Sequence, residues 1–404
     1  MKIYEIGTGY TPIPAQISAA TEIVVEELTK AFRKMDVPVE IVDIAASNRT
    51  VHNLPIREVN VPNAFSGTDV QLGFMHKLKR VVYSVALASE LKSLLRKEEG
   101  KVVLHFHNQY NLFFFYKLVP VKLQKKAIIA YTNHSGVWRL PWADIENVIK
   151  KRYFQEAFCM KHADMVFVLN EETKDNIKKH LGVCDDRIVV IGNGVNTDVY
   201  IPMDEKDKLE AKQRWGFTGK KVILQVGSVY ENKGQLRTVM RMLPLLKKDR
   251  ELIFAYAGGI VSEEYHSKVR EYAEANGIGD QVCYLGMIKP GVELNRLYNA
   301  ADATMFASEY EGFSLVIIES LASGTPVLVD RSSPFYVGEG CILYCADTFQ
   351  EDLMGTVFSN QNNDYTAVSA AARKTAEEQY GWSVIANRYI QAFTDKEDIP
   401  WLRS

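Results

Sequence analysis

The sequence predicts an α/β protein of two domains, each built on a doubly wound parallel sheet. Three observations carry that prediction. Short apolar runs, many of them β-branched, recur along the whole chain. Each ends in a Gly, Asn or His turn and gives way to a helical period. The runs fall into two sets of six on either side of a turn-rich stretch. Strands that are apolar at every position are buried on both faces, as in parallel sheets covered by crossover helices. Regular alternation of strand and helix makes each set a doubly wound domain.

The first set comprises Lys2 to Ile6, Val39 to Ile44, Val102 to Phe106, Ala127 to Tyr131, Met165 to Leu169 and Ile188 to Ile191. Between the first two runs, Ala20, Val24, Leu28, Ala31 and Phe32 keep the spacing of one helix face. Residues 45–72 show weak periodicity and many turn formers, so they read as a long loop, a feature that in compact domains is usually functional or disordered. Gly192-Asn193-Gly194-Val195-Asn196, leading to Pro202 and a charged segment over 204–212, marks the boundary. The second set comprises Val222 to Val226, Leu252 to Ala257, Val282 to Leu285, Ala303 to Phe306, Pro326 to Val329 and Cys341 to Tyr344. A last helix aligns Trp382, Ile385, Tyr389 and Phe393. The domains are therefore set at 1–197, joined by the C-terminal helix over 383–404, and at 198–382.

Composition narrows the function classes. The 404 residues are 47% hydrophobic and 24% charged, which suits a globular chain of two or three domains and excludes collagen and disorder. A net charge of −2 lacks the basic footprint of a general nucleic-acid binder. Five scattered cysteines do not make a disulfide framework and fit a reducing compartment. No apolar run reaches the roughly 18 residues that span a bilayer. Gly7 follows the first strand too soon for the apolar core of an export signal. A cytoplasmic protein is expected.

The strongest chemical signal is Ser308-Glu309-Tyr310-Glu311-Gly312-Phe313-Ser314-Leu315-Val316-Ile317-Ile318-Glu319. It reads as strand end, glycine turn and helix start near Ser314. Unpaired N–H groups and the positive end of the dipole favour a phosphate at such a start. Glu319, just over one turn in, suits sugar hydroxyls of the same ligand, as an acidic residue does in dinucleotide sites. Glu311, in the turn, faces the group beyond the phosphates. A structural alternative is a buried helix start with two solvent-paired glutamates.

This segment, with Ser320-Leu321-Ala322-Ser323-Gly324-Thr325-Pro326-Val327 after it, resembles the signature of retaining family-four glycosyltransferases of the GT-B fold. The resemblance runs along nearly the whole chain. Gly192 to Asn196 with Tyr200 is similar to that family's inter-domain hinge, and Leu297-Tyr298-Asn299-Ala300-Ala301-Asp302 to its approach to the glutamate motif. Gly258-Gly259 and Leu285-Gly286 sit where its nucleotide-side loops lie, which places Met287 beside the base. Gly227-Ser228 followed by Lys233-Gly234 resembles its phosphate grip, a Gly-Arg pair followed by a Lys-Gly pair. Here Ser228 stands in the arginine's place. Arg237 offers a substitute cation, with an ordinary exposed helix arginine as the plainer reading.

In the first domain, Thr132-Asn133-His134-Ser135-Gly136 follows a strand, at the sheet edge where open α/β folds bind ligands. The resemblance places His134 against the transferred sugar near its reacting carbon. His105 and His107, in or just after a neighbouring strand, read as structural. Gly7-Thr8-Gly9-Tyr10-Thr11-Pro12 loosely resembles the family's first glycine loop, with Ala15-Gln16-Ile17-Ser18 where a Gly-Gly pair is usual. Gly9 and Gln16 are accordingly assigned to the acceptor side. As a dinucleotide fingerprint the loop fails for want of a third glycine, which disfavours a nicotinamide-dependent dehydrogenase.

What the resemblance implies is a GT-B architecture: two Rossmann-like domains with a cleft between them, retention at the anomeric carbon, no cofactor and no required metal. The implied partners are a nucleoside-diphosphate sugar and a saccharide, lipid-linked or protein acceptor, as in polysaccharide, glycolipid or glycoprotein assembly. Gly227, Ser228, Lys233, Met287, Gly312, Phe313, Ser314, Leu315 and Glu319 are assigned to the donor; His134 and Glu311 to the reacting centre. The missing arginine keeps one alternative alive, a catalytically silent GT-B partner or chaperone of an active transferase. Residues 76–126 add eleven Lys or Arg against three acids, a local net of +8, around Leu112-Phe113-Phe114-Phe115-Tyr116-Lys117-Leu118-Val119. Cations beside aromatics suit an anionic membrane surface, so peripheral attachment at the inner face of the cell membrane is a further expectation.

Overall fold

The computed structural model describes residues 1–14, 20–47, 49, 52–65, 74–345, 349, 353–358 and 362–397. The chain divides into two compact units, Met1–Asn193 with Trp382–Ser404, and Gly194–Gly381. The division falls before the boundary read at 197/198. Its physical reason is that Val195 bridges to Gly381 and donates its N–H to the Tyr380 carbonyl at 2.8 Å, so residues 194–197 are tied to the far end of the second unit.

Among the described residues the first unit holds seven parallel strands: β1 (Lys2–Ile6), β2 (Val39–Ile44), β3 (Ile56–Val59), β4 (Val102–Phe106), β5 (Ala127–Thr132), β6 (Met165–Val168) and β7 (Ile188–Val190). The second holds six: β8 (Lys221–Val226), β9 (Leu252–Ala257), β10 (Val282–Tyr284), β11 (Ala303–Phe306), β12 (Val327–Asp330) and β13 (Cys341–Tyr344). All twelve runs read from sequence are strands. β3 is an addition inside the stretch expected to be loop. It is short and sits at the sheet edge, with only Val59 buried among its four residues, so it lacks the continuous apolar run of its neighbours.

The strand orders are β3-β2-β1-β4-β5-β6-β7 and β10-β9-β8-β11-β12-β13. In each sheet the order reverses beside the first strand, between β1 and β4 and between β8 and β11. Ligands of such sheets bind outside the carboxyl ends of the strands at that point.

Alternate side chains of each strand enter opposite cores. In the first unit Tyr4 and Leu104 pack with Leu87, Leu91 and Phe115 on one face. Ile3, Val103 and Phe167 pack on the other face with Leu28 and Phe32 of the helix Ala20–Lys34, and with Ile385 and Phe393 of the final helix Trp382–Glu397. In the second unit Val222 and Leu224 meet Leu297, Ile317 and Leu321, and Ile223 meets Val239, Met242 and Leu246. Each such side chain contributes about 2 kcal/mol on leaving water. Burial on both faces therefore holds the sheets.

The 112–119 segment needs a correction. Leu112 and Phe115 are fully buried, and Phe113 and Tyr116 pack against the same core, so the aromatics expected to rest on lipid are largely interior. Exposed apolar residues of this region are Leu118 and Val121, and three more on the helix Phe74–Lys97. Leu78 is 37%, Val81 39% and Val85 43% exposed, at a spacing that puts them on one helical face. Among the described residues no helix is long and apolar enough to cross a membrane.

Candidate functional site

In the second unit the site grows from the reversal point between β8 and β11. β8 ends at Val226, and Gly227 turns the chain at φ 146°. A Cβ on Gly258 would stand 2.0 Å from the Gly227 carbonyl oxygen, so only glycine lets the loops after β8 and β9 approach. The single turn Glu231–Lys233, closed by left-handed Gly234, then brings Lys233 back over the sheet end. Gln225 fixes that turn by donating Nε2–H to the Lys233 carbonyl at 2.6 Å. Asn232 ties it to the glutamate loop, donating to the Tyr310 carbonyl at 3.1 Å and accepting from the Tyr310 N–H at 3.3 Å.

This tie sets the electrostatics. Lys233 Nζ is ion-paired to Glu311 Oε1, and Ser308 Oγ donates to the same oxygen at 2.6 Å. The chain continues through Gly312 and Phe313 into the helix Leu315–Ala322. Its N-cap, Ser314, is extended and forms no capping hydrogen bond. The Ser314 hydroxyl is buried without a hydrogen-bond partner. A buried hydroxyl at a helix start, beside amides with no intrahelical partner, is a ready contact for an anionic oxygen.

Glu319 is half-buried on the next turn of that helix. Its Oε2 accepts from Tyr298 OH at 3.1 Å, and Tyr200 OH also hydrogen-bonds the carboxyl. Burial pushes the carboxyl up to about 7, against the two tyrosine hydroxyls. The β9 and β10 loops lie to the side. Gly258 N–H donates to Gly286 O at 2.8 Å, and Tyr284 OH donates to Gly258 O at 2.7 Å. Met287 stands out from them, 76% exposed. Ser228 supplies no cation, and Arg237 does not replace one. Its guanidinium pairs with Glu309 at 2.7 Å and donates to the Ala307 carbonyl at 2.8 Å.

In the first unit, Gly9 has φ 78°, and a Cβ there would enter the Tyr83 ring at 2.1 Å. The Gly7-Thr8 carbonyls are held by Asn111 Nδ2 at 3.0 and 3.2 Å. Tyr10 accepts from Lys79 Nζ through its carbonyl at 3.1 Å, and its ring lies under the Arg80 guanidinium, 4.5 Å from centroid to carbon. The Tyr110 ring meets the same guanidinium at 5.3 Å. Gln16 lies outside the described residues.

His134 follows β5 and is half-buried. Its Nε2 lies 3.0 Å from His107 Nδ1, and His107 Nε2 lies 2.7 Å from Glu5 Oε2. The other Glu5 oxygen takes His105 Nδ1 at 2.9 Å, and His105 Nε2 lies 2.7 Å from Thr132 Oγ1. Burial alone would raise the Glu5 carboxyl, but the His105 and His107 rings bring it down to about 2. Burial and the His105 ring lower His107 to about 4, and burial with His107 puts His134 well below the usual histidine range. Glu5, His105 and His107 bring their donor atoms within 4.8 Å of one another, close enough for a metal ion. Their separations and complete burial are equally those of two imidazole N–H groups donating to one carboxylate.

Two family models cover most of the chain. "Glycosyltransferase Family 4" matches residues 21–199 and "Glycosyl transferases group 1" matches residues 205–337. The chain belongs to the family-four glycosyltransferases. This family member is 26% identical to a mannosylfructose-phosphate synthase of Agrobacterium fabrum over 67% of its own length and 64% of that protein's. It is 33% identical to a D-inositol 3-phosphate glycosyltransferase of Corynebacterium aurimucosum over 60% of each. Those matches span less than two thirds of either relative. A GDP-mannose:cellobiosyl-diphosphopolyprenol alpha-mannosyltransferase of Xanthomonas oryzae is 23% identical over 74% of this chain and 75% of that one. Among solved structures, the sucrose-phosphate synthase of Thermosynechococcus elongatus superposes with TM-score 0.72 at 18% identity, covering 98% of both chains. HepE of Anabaena, in complex with UDP, superposes with TM-score 0.70 at 14% identity, covering 98% of this chain and all of that one. The fold is GT-B.

In this family member Gly227, Ser228, Lys233, Glu311, Gly312, Phe313, Ser314, Leu315 and Glu319 all belong to the loops and helix at the carboxyl ends of β8 and β11. Met287 lies on the neighbouring β10 loop, and Gly9 and His134 belong to the first unit. Sequence reading missed Tyr298, whose hydroxyl holds Glu319, and Glu5, which joins His105 to His107. Glu5 carried a usable signal, an acid inside an apolar strand run. Its register partner across β1 and β4 is His105.

Proposed function

We propose that this chain is a retaining glycosyltransferase that moves a sugar from a nucleoside-diphosphate sugar to a hydroxyl acceptor without a required metal. The observation that carries the reading is the unpartnered, buried Ser314 hydroxyl at the start of the helix Leu315–Ala322, with Lys233 linked to the same loop through Glu311. Helix amides and one lysine there neutralise the leaving diphosphate, and Glu319 receives the ribose hydroxyls. Charge stabilisation at the leaving group is where such a site lowers the barrier most. Glu311 then contacts the donor sugar, and His134 supports the reacting centre.

The acceptor in this reading carries a phosphate. The names of the mannosylfructose-phosphate synthase, inositol-phosphate and diphosphopolyprenol relatives support that class. So does the pair of cations, Lys79 and Arg80, beside Tyr10 and Tyr110 at the carboxyl ends of β1 and β4. The exposed Leu78, Val81 and Val85, on a helix rich in lysine and arginine, support peripheral attachment to an anionic membrane face.

A second reading, a silent GT-B partner of an active transferase, draws on Ser228 in place of a phosphate-binding arginine and on Arg237 being engaged by Glu309. Calorimetric titration with UDP, GDP and ADP, followed by transfer assays with the matching nucleotide sugars, separates the two. Binding and transfer with an unchanged anomeric configuration, read by proton NMR, support the first. Binding without transfer or donor hydrolysis supports the second, and no binding of any diphosphate overturns both.

A further inference from the structure

The four residues Glu5, His105, His107 and His134 form one hydrogen-bonded chain, and its heavy atoms dictate where the hydrogens sit. An ionised carboxylate only accepts, so each Glu5 oxygen takes an imidazole N–H: His105 Nδ1 on one, His107 Nε2 on the other. A neutral imidazole has one donor and one acceptor nitrogen. With its Nε2 proton committed to Glu5, His107 is left with Nδ1 as acceptor. The group facing that nitrogen at 3.0 Å is His134 Nε2, which must therefore donate. His134 then carries its single proton on Nε2 and none on Nδ1, and Nδ1 makes no hydrogen bond to any described residue.

We propose that Glu5 and His107 are positioning residues that hold His134 as the neutral Nε2–H tautomer, leaving its Nδ1 as the acceptor for a hydroxyl of the bound sugar. The identity of that hydroxyl rests on the functional reading above; the proton arrangement does not. Neutrality of His107 matters as much as the charge on Glu5. A cationic His107 would donate from both nitrogens and reverse the His107–His134 bond, moving the His134 proton to Nδ1. Burial keeps His107 neutral at physiological pH. The other end of the chain is closed as well: His105 meets Thr132 Oγ1, and its ring packs among Phe167, Tyr389 and Phe393, so no solvent group competes for Glu5. A buried carboxylate that sets a catalytic imidazole's tautomer from its far side is a known physical device. Here one further imidazole is interposed.

Neutron diffraction from crystals of the full chain exchanged into heavy water tests this directly. Deuterium on His107 Nε2 and His134 Nε2, with none on His134 Nδ1, is expected; deuterium on His134 Nδ1 overturns the proposal. Glu5→Gln keeps the shape but lets an amide NH2 face His107, which permits the reversed chain. Its expected outcome is a loss in kcat on the order of a hundredfold with donor KM nearly unchanged. His107→Leu, which removes both the donor to Glu5 and the acceptor facing His134, should lose kcat similarly. A folded variant of either kind with wild-type kcat overturns the positioning role. If Glu5→Gln fails to fold, the wild-type neutron map still decides the tautomer. The expected proton arrangement in a chain that transfers no sugar would count against the functional reading and leave the tautomer assignment standing.

Discussion

Lys233 and Glu311 neutralise one another across the junction of two loops, the lysine from the turn after β8 and the glutamate from the turn after β11. Both side chains are mostly buried, 19% and 15% exposed, so the pair is sheltered from solvent screening. A diphosphate approaching the start of the helix Leu315–Ala322 therefore competes with Glu311 for the lysine. Glu311→Gln removes the competitor. Free UDP or its counterpart is expected to bind about fivefold tighter, on the order of 1 kcal/mol, while kcat for transfer falls. Calorimetry beside steady-state kinetics checks the split.

Lys233→Ala has the opposite sign. It removes the phosphate cation and leaves Glu311 facing the diphosphate unpaired. Affinity for the free nucleoside diphosphate should fall by roughly tenfold or more, with or without a sugar attached. Because the two residues touch, the double variant should bind better than the sum of the single changes predicts. An additive cycle would show that the pair is not formed in solution.

With Glu319 on the donor ribose, as proposed, donor binding is expected to depend on pH near neutrality. Its carboxyl is raised to about 7, so above that pH it is ionised and can accept hydroxyls with both oxygens. Below it the group is protonated and one oxygen becomes a donor. Donor KM is expected to rise as pH falls through about 7. Glu319→Gln should raise KM at pH 8 and abolish the pH dependence, as initial rates across pH 6–9 would reveal.

Gly258→Ala tests the close approach of two backbones. The new methyl would collide with the Gly227 carbonyl at 2.0 Å in a conformation, φ 151°, that L side chains rarely adopt. A loss of about 3 kcal/mol is expected, which lowers Tm by roughly 6–12 °C for a unit of this size. Differential scanning calorimetry reads it. The phosphate loop should loosen with it and donor KM should rise.

In the proposed attachment to an anionic membrane the contact is the helix Phe74–Lys97. Replacing Leu78, Val81 and Val85 together by Ser should abolish co-sedimentation with anionic liposomes at low salt, whereas Phe115→Leu, inside the core, should leave it intact. Raising the salt should release the wild-type chain. Partition that ignores salt, or survives the triple change, removes the expectation.

Much of the fold was legible because parallel strands covered by helices appear as predominantly apolar runs, and twelve of the thirteen strands among the described residues lie in such runs. β3 escaped because Ile56-Arg57-Glu58-Val59 is a short, partly exposed edge strand with two charged residues between its two apolar ends. The loops of the proposed donor site were legible for a related reason: Gly227, Lys233 and the segment from Glu311 to Glu319 are local in sequence, following the ends of β8 and β11. Tyr298 was passed over because its hydroxyl reaches Glu319 from a different helix, a relation with no fixed spacing along the chain. Leu112 and Phe115 misled for the same reason, since composition cannot tell a core face from a lipid face.

The amino-acid order alone determined the two doubly wound sheets, the family and the loops at the carboxyl end of the second sheet on which the donor is proposed to sit, because hydrophobic periodicity and helix-start chemistry act over a few neighbouring residues. Only the folded chain decided which charges meet. Glu5, His107 and His134 are about a hundred and about thirty residues apart, and β1, β4 and β5 become neighbours solely through the crossover connections of the sheet. The pairing of Lys233 with Glu311 and the burial that lifts Glu319 are likewise products of packing, since an electrostatic environment is set by what surrounds a group in space.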